Sequence, residues 1–179
     1  MNTRSTAIVL SILITASVPF PAAAVTGTNE QVATAERALD RFAAAGLELP
    51  AVTIEVFDTT EPCRGNAGYA TSGPTSVNGR GEYTISICTE KRYERTLIHE
   101  LAHIWAADTL TDADRSKYVE FRGTESWNEG EWHEQASEHA AENITWALLD
   151  GDVWIHSAIS MQDDASLTAG YEILTAAGR

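Results

Sequence analysis

Residues His99-Glu100-Leu101-Ala102-His103 spell HExxH, the stretch of the chain whose residue types and spacing most directly suggest chemistry. On an α-helix, histidines four positions apart lie one above the other on a single face, so both imidazoles can reach one tetrahedral metal ion. Glu100 is turned by about 100° from His99. That places its carboxylate beside such an ion but not bound to it, where it can take a proton from a metal-activated water. Shuffling a chain of this composition yields the pattern roughly once in 100, so chance is a weak explanation. The ligand types and the tetrahedral arrangement suit Zn²⁺.

A catalytic zinc needs a third protein ligand and one open position. Downstream, Glu134, Glu138 and Glu142 recur every four residues, with His133 and His139 beside them. Acidic residues at that spacing usually line a solvated face. On a continuous helix they also repel by a few tenths of a kcal/mol per pair, which a nearby divalent cation would offset.

HELAH at 99–103, followed by Glu138-His139-Ala140-Ala141-Glu142, resembles the gluzincin branch of the zincin-like metallopeptidases. Trp127, Trp132 and Trp146-Ala147-Leu148 are similar to positions in small secreted bacterial zincins, and the resemblance spans roughly Val52 to Leu149. It implies His99, His103 and Glu138 as zinc ligands and Glu100 as general base, with Glu142 supporting a ligand histidine. The family usually has Asp where Glu142 stands, and Glu134 and then His139 are the next ligand candidates. The metzincin branch would need Gly at 106 and His or Asp at 109; the chain has Ala106 and Thr109, with Asp108 one position short.

The resemblance further implies a zincin-like α+β domain, mostly helical, with a small sheet preceding the HExxH helix. Substrate backbone would pair with the edge strand before that helix, expected at Tyr83–Cys88. The expected function is a secreted zinc-dependent metallopeptidase that hydrolyses peptide bonds through a metal-activated water, with Glu100 as general base. The alternative is a non-catalytic zincin-like metal-binding domain that binds a cell-wall or protein partner. Glu100 separates the two, because a purely structural site does not need a carboxylate beside an open coordination position. An amidase acting on cell-wall peptides would share the metal chemistry. His156, Tyr118 and Tyr171 are candidate donors to a developing oxyanion, and spacing does not choose among them.

The elements that must position these groups are readable in outline. Thr28 and Gln31 form a capping box that opens a helix carrying Val32, Ala35, Leu39 and Phe42 inward, ended by Gly46 and Pro50. This helix is expected to pack on the sheet. Val52–Phe57 and Tyr83–Cys88 read as strands, and Asp58–Gly81 as a long loop or loose hairpin. Helices follow from Thr89 or Glu90 to about Ala107, from Thr111 to Gly123, from about Glu131 to Leu149, and from about Ala165 to Ala176. The Asn143-Ile144-Thr145 sequon falls within a helix and is read as incidental.

Ahead of these elements, Met1–Thr6 carries Arg4, Ala7–Val18 is apolar, and Ala22-Ala23-Ala24 offers small residues for cleavage. Residues 1–24 are therefore expected to be a signal peptide and 25–179 a single exported domain. The apolar run is shorter than the roughly 20 residues a spanning helix needs, so no stable membrane insertion is expected after cleavage. In an oxidising compartment Cys63 and Cys88 are most simply a disulfide. The 179 residues include 12 basic and 26 acidic side chains, a net charge of −14. Such a surface argues against nucleic-acid binding, which rewards Lys and Arg patches. A peptide or protein substrate is the expected partner, and the sequence leaves the oligomeric state open.

Overall fold

A computed structural model describes residues 24–72, 83–89, 92–151 and 163–177. Among the described residues the structure is α+β, with five α-helices and a small mixed four-stranded sheet. The strands are β1 (Ala24–Thr26), β2 (Val52–Val56), β3 (Gly68–Ser72) and β4 (Tyr83–Ile87). The helices are α1 (Asn29–Ala44), α2 (Tyr93–Thr109), α3 (Asp112–Arg122), α4 (Ala136–Leu148) and α5 (Asp164–Ala177). The expected leader lies outside the described residues up to position 23, and Ala24 opens β1.

The sheet order is β1-β2-β4-β3. β1, β2 and β4 run parallel, while β3 pairs antiparallel with β4 from Gly68↔Ile87 to Ser72↔Tyr83. This settles one expectation and corrects another. The segment read as a long loop or a loose hairpin contains β3, which pairs with β4 as a hairpin would, and β4 is an interior strand. The edge beside α2 is β3. Its sequence, Gly-Tyr-Ala-Thr-Ser, is short and small, so it carries little strand signal of its own and owes its conformation to the ladder with β4.

The capping box at Thr28 forms as expected, and α1 turns Ala35, Ala38 and Phe42 onto the sheet. Thr111 caps α3 in the same way with Asp114, and Gly123 ends it at φ 65°, a left-handed conformation that glycine adopts without a steric penalty. Ile54, Ile85 and Ile87 meet Leu97, Ile98, Leu101 and Ile104 of α2 in the core. On the other side of α2, Ala102 and Ala106 face α4, whose own Ala136, Ala140 and Ala141 are buried. Small side chains on both helices allow close approach, which matters because each contributes to one site.

The helix expected over 131–149 is broken. Trp132–Glu134 form a single 3₁₀ turn, Gln135 is extended at φ −78° and ψ 122°, and α4 begins only at Ala136. Cys63 and Cys88 are joined in a disulfide that pins the loop after β2 to the end of β4. No described helix is long and apolar enough to cross a membrane.

Candidate metal centre

The five residues from His99 to His103 sit in the middle of the core helix α2, where His99 and Glu100 are buried. His99 and His103 present their Nε2 atoms to each other at 3.1 Å. Glu138, in the first turn of α4, brings Oε2 to 3.2 Å from His99 Nε2 and Oε1 to 3.4 Å from His103 Nε2. Ligand atoms around one tetrahedral zinc, at bond lengths near 2.0–2.1 Å, lie about 3.3 Å apart. The three side chains therefore have the spacing that a single ion requires, and they are a group that could hold a metal.

Behind them, Glu142 is one helical turn beyond Glu138 and is also buried. Its Oε1 lies 3.1 Å from His99 Nδ1, and its Oε2 accepts from Arg95 Nη2. A carboxylate on Nδ1 leaves Nε2 as the nitrogen facing the site. The longer Glu side chain bridges this gap where the resemblance would lead one to expect Asp.

Electrostatics mark the cluster as a seat for positive charge. Burial disfavours the charged His99 ring, but the carboxylates of Glu138 and Glu142 outweigh it and raise the ring to about 10. Burial also opposes charge on Glu138, yet hydrogen bonds from His103 and His99 hold it well below the usual carboxylate range. Glu142 is held low despite its burial by His99 and Arg95. Glu100 goes the other way, raised chiefly by burial against the opposing charges of the two histidines.

Glu100 occupies a tight slot under the edge strand. The Ala70 backbone N–H hydrogen-bonds its carboxylate. A Cβ added at Gly68 would lie 2.6 Å from Glu100 Oε1 and 2.8 Å from both Glu100 Cγ and Thr96 Cγ2. Only a residue without a side chain lets β3 approach α2 this closely. No pattern in the sequence singled out Gly68, because the contact joins residues 32 positions apart through the fold.

These groups line a cleft of about 630 Å³. β3 with Asn66 and Ala67 forms one wall, α2 and α4 form the floor, and the segment carrying Trp127, Asn128 and Trp132 forms the other wall. Backbone bonds from Ala136 N–H to Ser126 O and from Ser137 N–H to Trp127 O tie this wall to the start of α4.

The remaining ligand candidates are elsewhere. Glu134 accepts from the Glu131 N–H at 3.0 Å within the 3₁₀ turn, because the break at Gln135 removes it from the α4 face. His139 is buried on a different side of α4, where Nδ1 accepts from Arg122 Nε at 2.9 Å and Nε2 donates to the His133 carbonyl at 2.9 Å. Burial, chiefly, pushes its pKa down. Of the oxyanion candidates, Tyr118 donates to Asn143 Oδ1 in the interior and Tyr171 packs against the core, so neither reaches the cleft. His156 lies outside the described residues. Asn143, the sequon residue, is buried and donates to the Leu167 carbonyl, so the folded chain does not present it for modification.

Comparison with protein-family models, curated proteins and solved structures finds no match to this chain.

Proposed function

We propose that the chain is a zinc-dependent peptidase of gluzincin type, exported by residues 1–24. The observation that carries the proposal is the convergence of His99, His103 and Glu138 at ligand-to-ligand spacings of 3.1–3.4 Å on the floor of a cleft, with Glu100 beside them. A zinc ion held there would lower the pKa of a water and polarise a substrate carbonyl. Glu100 would take the proton of the attacking water and deliver it to the leaving amine. Its slot under Gly68 and Ala70 fixes the carboxylate in place before substrate arrives. Glu142 orients His99 through Nδ1, and Arg95 holds Glu142 in turn. The substrate backbone would add to β3, the edge strand over the cleft, with main-chain hydrogen bonds supplying affinity. The disulfide fits an oxidising compartment.

A domain that binds metal and a partner without turnover shares the three ligands. Glu100 favours the peptidase reading, because a buried carboxylate beside the cleft, with its pKa raised, costs stability that a structural site has no reason to carry.

Metal analysis of the secreted protein tests the reading, with wild type, Glu138→Ala and Glu100→Gln in parallel. The wild type should carry about one zinc per chain, and Glu138→Ala should lose most of it. Glu100→Gln should keep the zinc and lose peptide cleavage by a factor on the order of 10² or more. A wild-type chain without stoichiometric metal would sink the proposal. Full cleavage by Glu100→Gln would remove Glu100 from its role.

A further inference from the structure

Beyond His103 the cleft changes in chemistry, from ligand groups to methyl groups and an indole. We infer that this stretch is a specificity subsite that takes an aromatic or large apolar substrate side chain close to the reacting bond, an inference that rests on the peptidase reading for a peptide lying in the cleft.

Helical geometry places the subsite. His99, His103, Ala106 and Ala107 follow at i, i+4, i+7 and i+8, so they share the face of α2 that floors the cleft. At a rise of about 1.5 Å per residue, the two alanines lie about 4.5–6 Å past His103 along the helix axis. Alanine keeps the helix strong while leaving open the space that a longer side chain would fill.

Arg115 and Trp127 close this end. Arg115 Nη2 donates to the carbonyls of Ala106 and Ala107 at 3.3 and 3.1 Å, and its guanidinium sits 5.9 Å from the centre of the Trp127 ring. These distances tie the four residues into one neighbourhood, and all four line the cleft. Trp127 is fixed from behind. The Tyr118 ring meets it edge-on at 6.2 Å, and its carbonyl accepts from the Ser137 N–H at 2.9 Å. The indole is a held wall.

The whole chain carries a net charge of −14, but this lining offers two methyl groups, an indole and a single charged group. That group, Arg115, is already engaged, with Nη2 on the two carbonyls and Nη1 3.7 Å from Asp112. A charged substrate side chain would lose water there without gaining a free partner. An apolar one removes its own surface and the indole's from water, and an aromatic one adds ring-to-ring contact.

The spacing suits a peptide laid along β3. An extended chain advances about 3.3 Å per residue and turns alternate side chains to the same side. A peptide whose carbonyl reaches an ion between His99 and His103 would therefore bring a side chain one or two residues away over Ala106 and Ala107.

The test is peptide binding to the zinc-loaded Glu100→Gln full chain. One neutral, labelled frame carries Phe, Leu, Ala, Asp or Lys at a single position, moved in turn through the residues on either side of its centre. At one position Phe should bind about tenfold tighter than Ala, with Leu between them and Asp and Lys no tighter than Ala. Ala107→Leu fills the floor from an exposed helix position and should cut the Phe advantage to about twofold. Trp127→Phe shortens the wall and should cut it about threefold. Zinc stoichiometry and unchanged binding of the Ala peptide report that each variant keeps its fold. Absence of peptide binding, equal binding of Phe and Ala at every position, a preference for Asp or Lys, or a Phe advantage unchanged in both variants would overturn the inference. Cleavage of the same peptides by wild type is read separately. Phe preference without cleavage keeps the subsite and removes the peptidase reading; cleavage without Phe preference does the reverse.

Discussion

At the residue scale, the contact between Gly68 and Glu100 sets how accurately the proposed general base can be held. Gly68→Ala would place a methyl group 2.6 Å from Glu100 Oε1, with Thr96 blocking retreat on the same side. Either β3 moves off α2 or the Glu100 carboxylate swings, and a shift near 1 Å at a reacting group costs on the order of 10²-fold in rate. The atoms nearest that methyl belong to Glu100 and Thr96 and not to His99, His103 or Glu138, so metal content should stay near wild type while kcat falls and KM moves much less. Zinc titration beside steady-state kinetics checks this. An unchanged kcat would mean that Glu100 does not need its slot. The sequence made part of this site legible. HExxH is local, because two ligands and a base on adjacent turns follow from helical period alone, and Glu138 with Glu142 repeats that logic on a second helix. Gly68 had no such signal, and Trp127 stood out only through the family resemblance. Their importance comes from which element they face across the cleft, and the four-residue spacing of Glu134 misled because the helix does not extend that far back.

At the element scale, the wall formed by β3 is the least self-sufficient part of the sheet. It has one strand neighbour, β4, and a sequence of small residues with weak strand preference. The Cys63–Cys88 bridge compensates by tying the loop before β3 to the residue after β4, across a separation of 25 residues. Restricting a loop of that length in the unfolded chain is worth roughly 3–4 kcal/mol in the chain-entropy model. The double variant Cys63→Ser/Cys88→Ser should therefore unfold roughly 6–16 °C lower by calorimetry. A loss below about 1 kcal/mol would show that the ladder with β4 holds β3 unaided. The bridge was readable from two cysteines and an expected leader, and so was the capping box at Thr28, a local bond between an N-cap and the residue three on. The unread elements depend on distant partners. β1 and β3 exist through their pairing with β2 and β4, and Gln135 is extended because Trp127 and Ser126 bind the first turn of α4.

At the scale of the whole molecule, the candidate metal centre ties stability to pH, and a bound zinc would change that dependence. In the metal-free protein His99 is raised from about 6.5 to about 10 by its carboxylate neighbours. A raised folded value gives stability that is fully present below pH 6.5 and is lost as pH climbs toward 10. Glu138 and Glu142 are lowered, so their contribution is present above their ordinary range near 4.5 and is lost as pH falls below it. The metal-free chain should thus be most stable between about pH 5 and 6.5, with its melting temperature declining on both sides. A bound zinc would remove the alkaline limb. It needs His99 neutral, so the proton and the ion compete for one position between the same carboxylates, and raising pH removes the competitor. Melting curves with added zinc and with chelator, taken from pH 5 to 9, should therefore diverge, the gap in Tm widening steadily above pH 6.5. A gap that stays constant across that range would mean that the bound ion does not displace a proton from His99, and the three-residue centre would have to be redrawn.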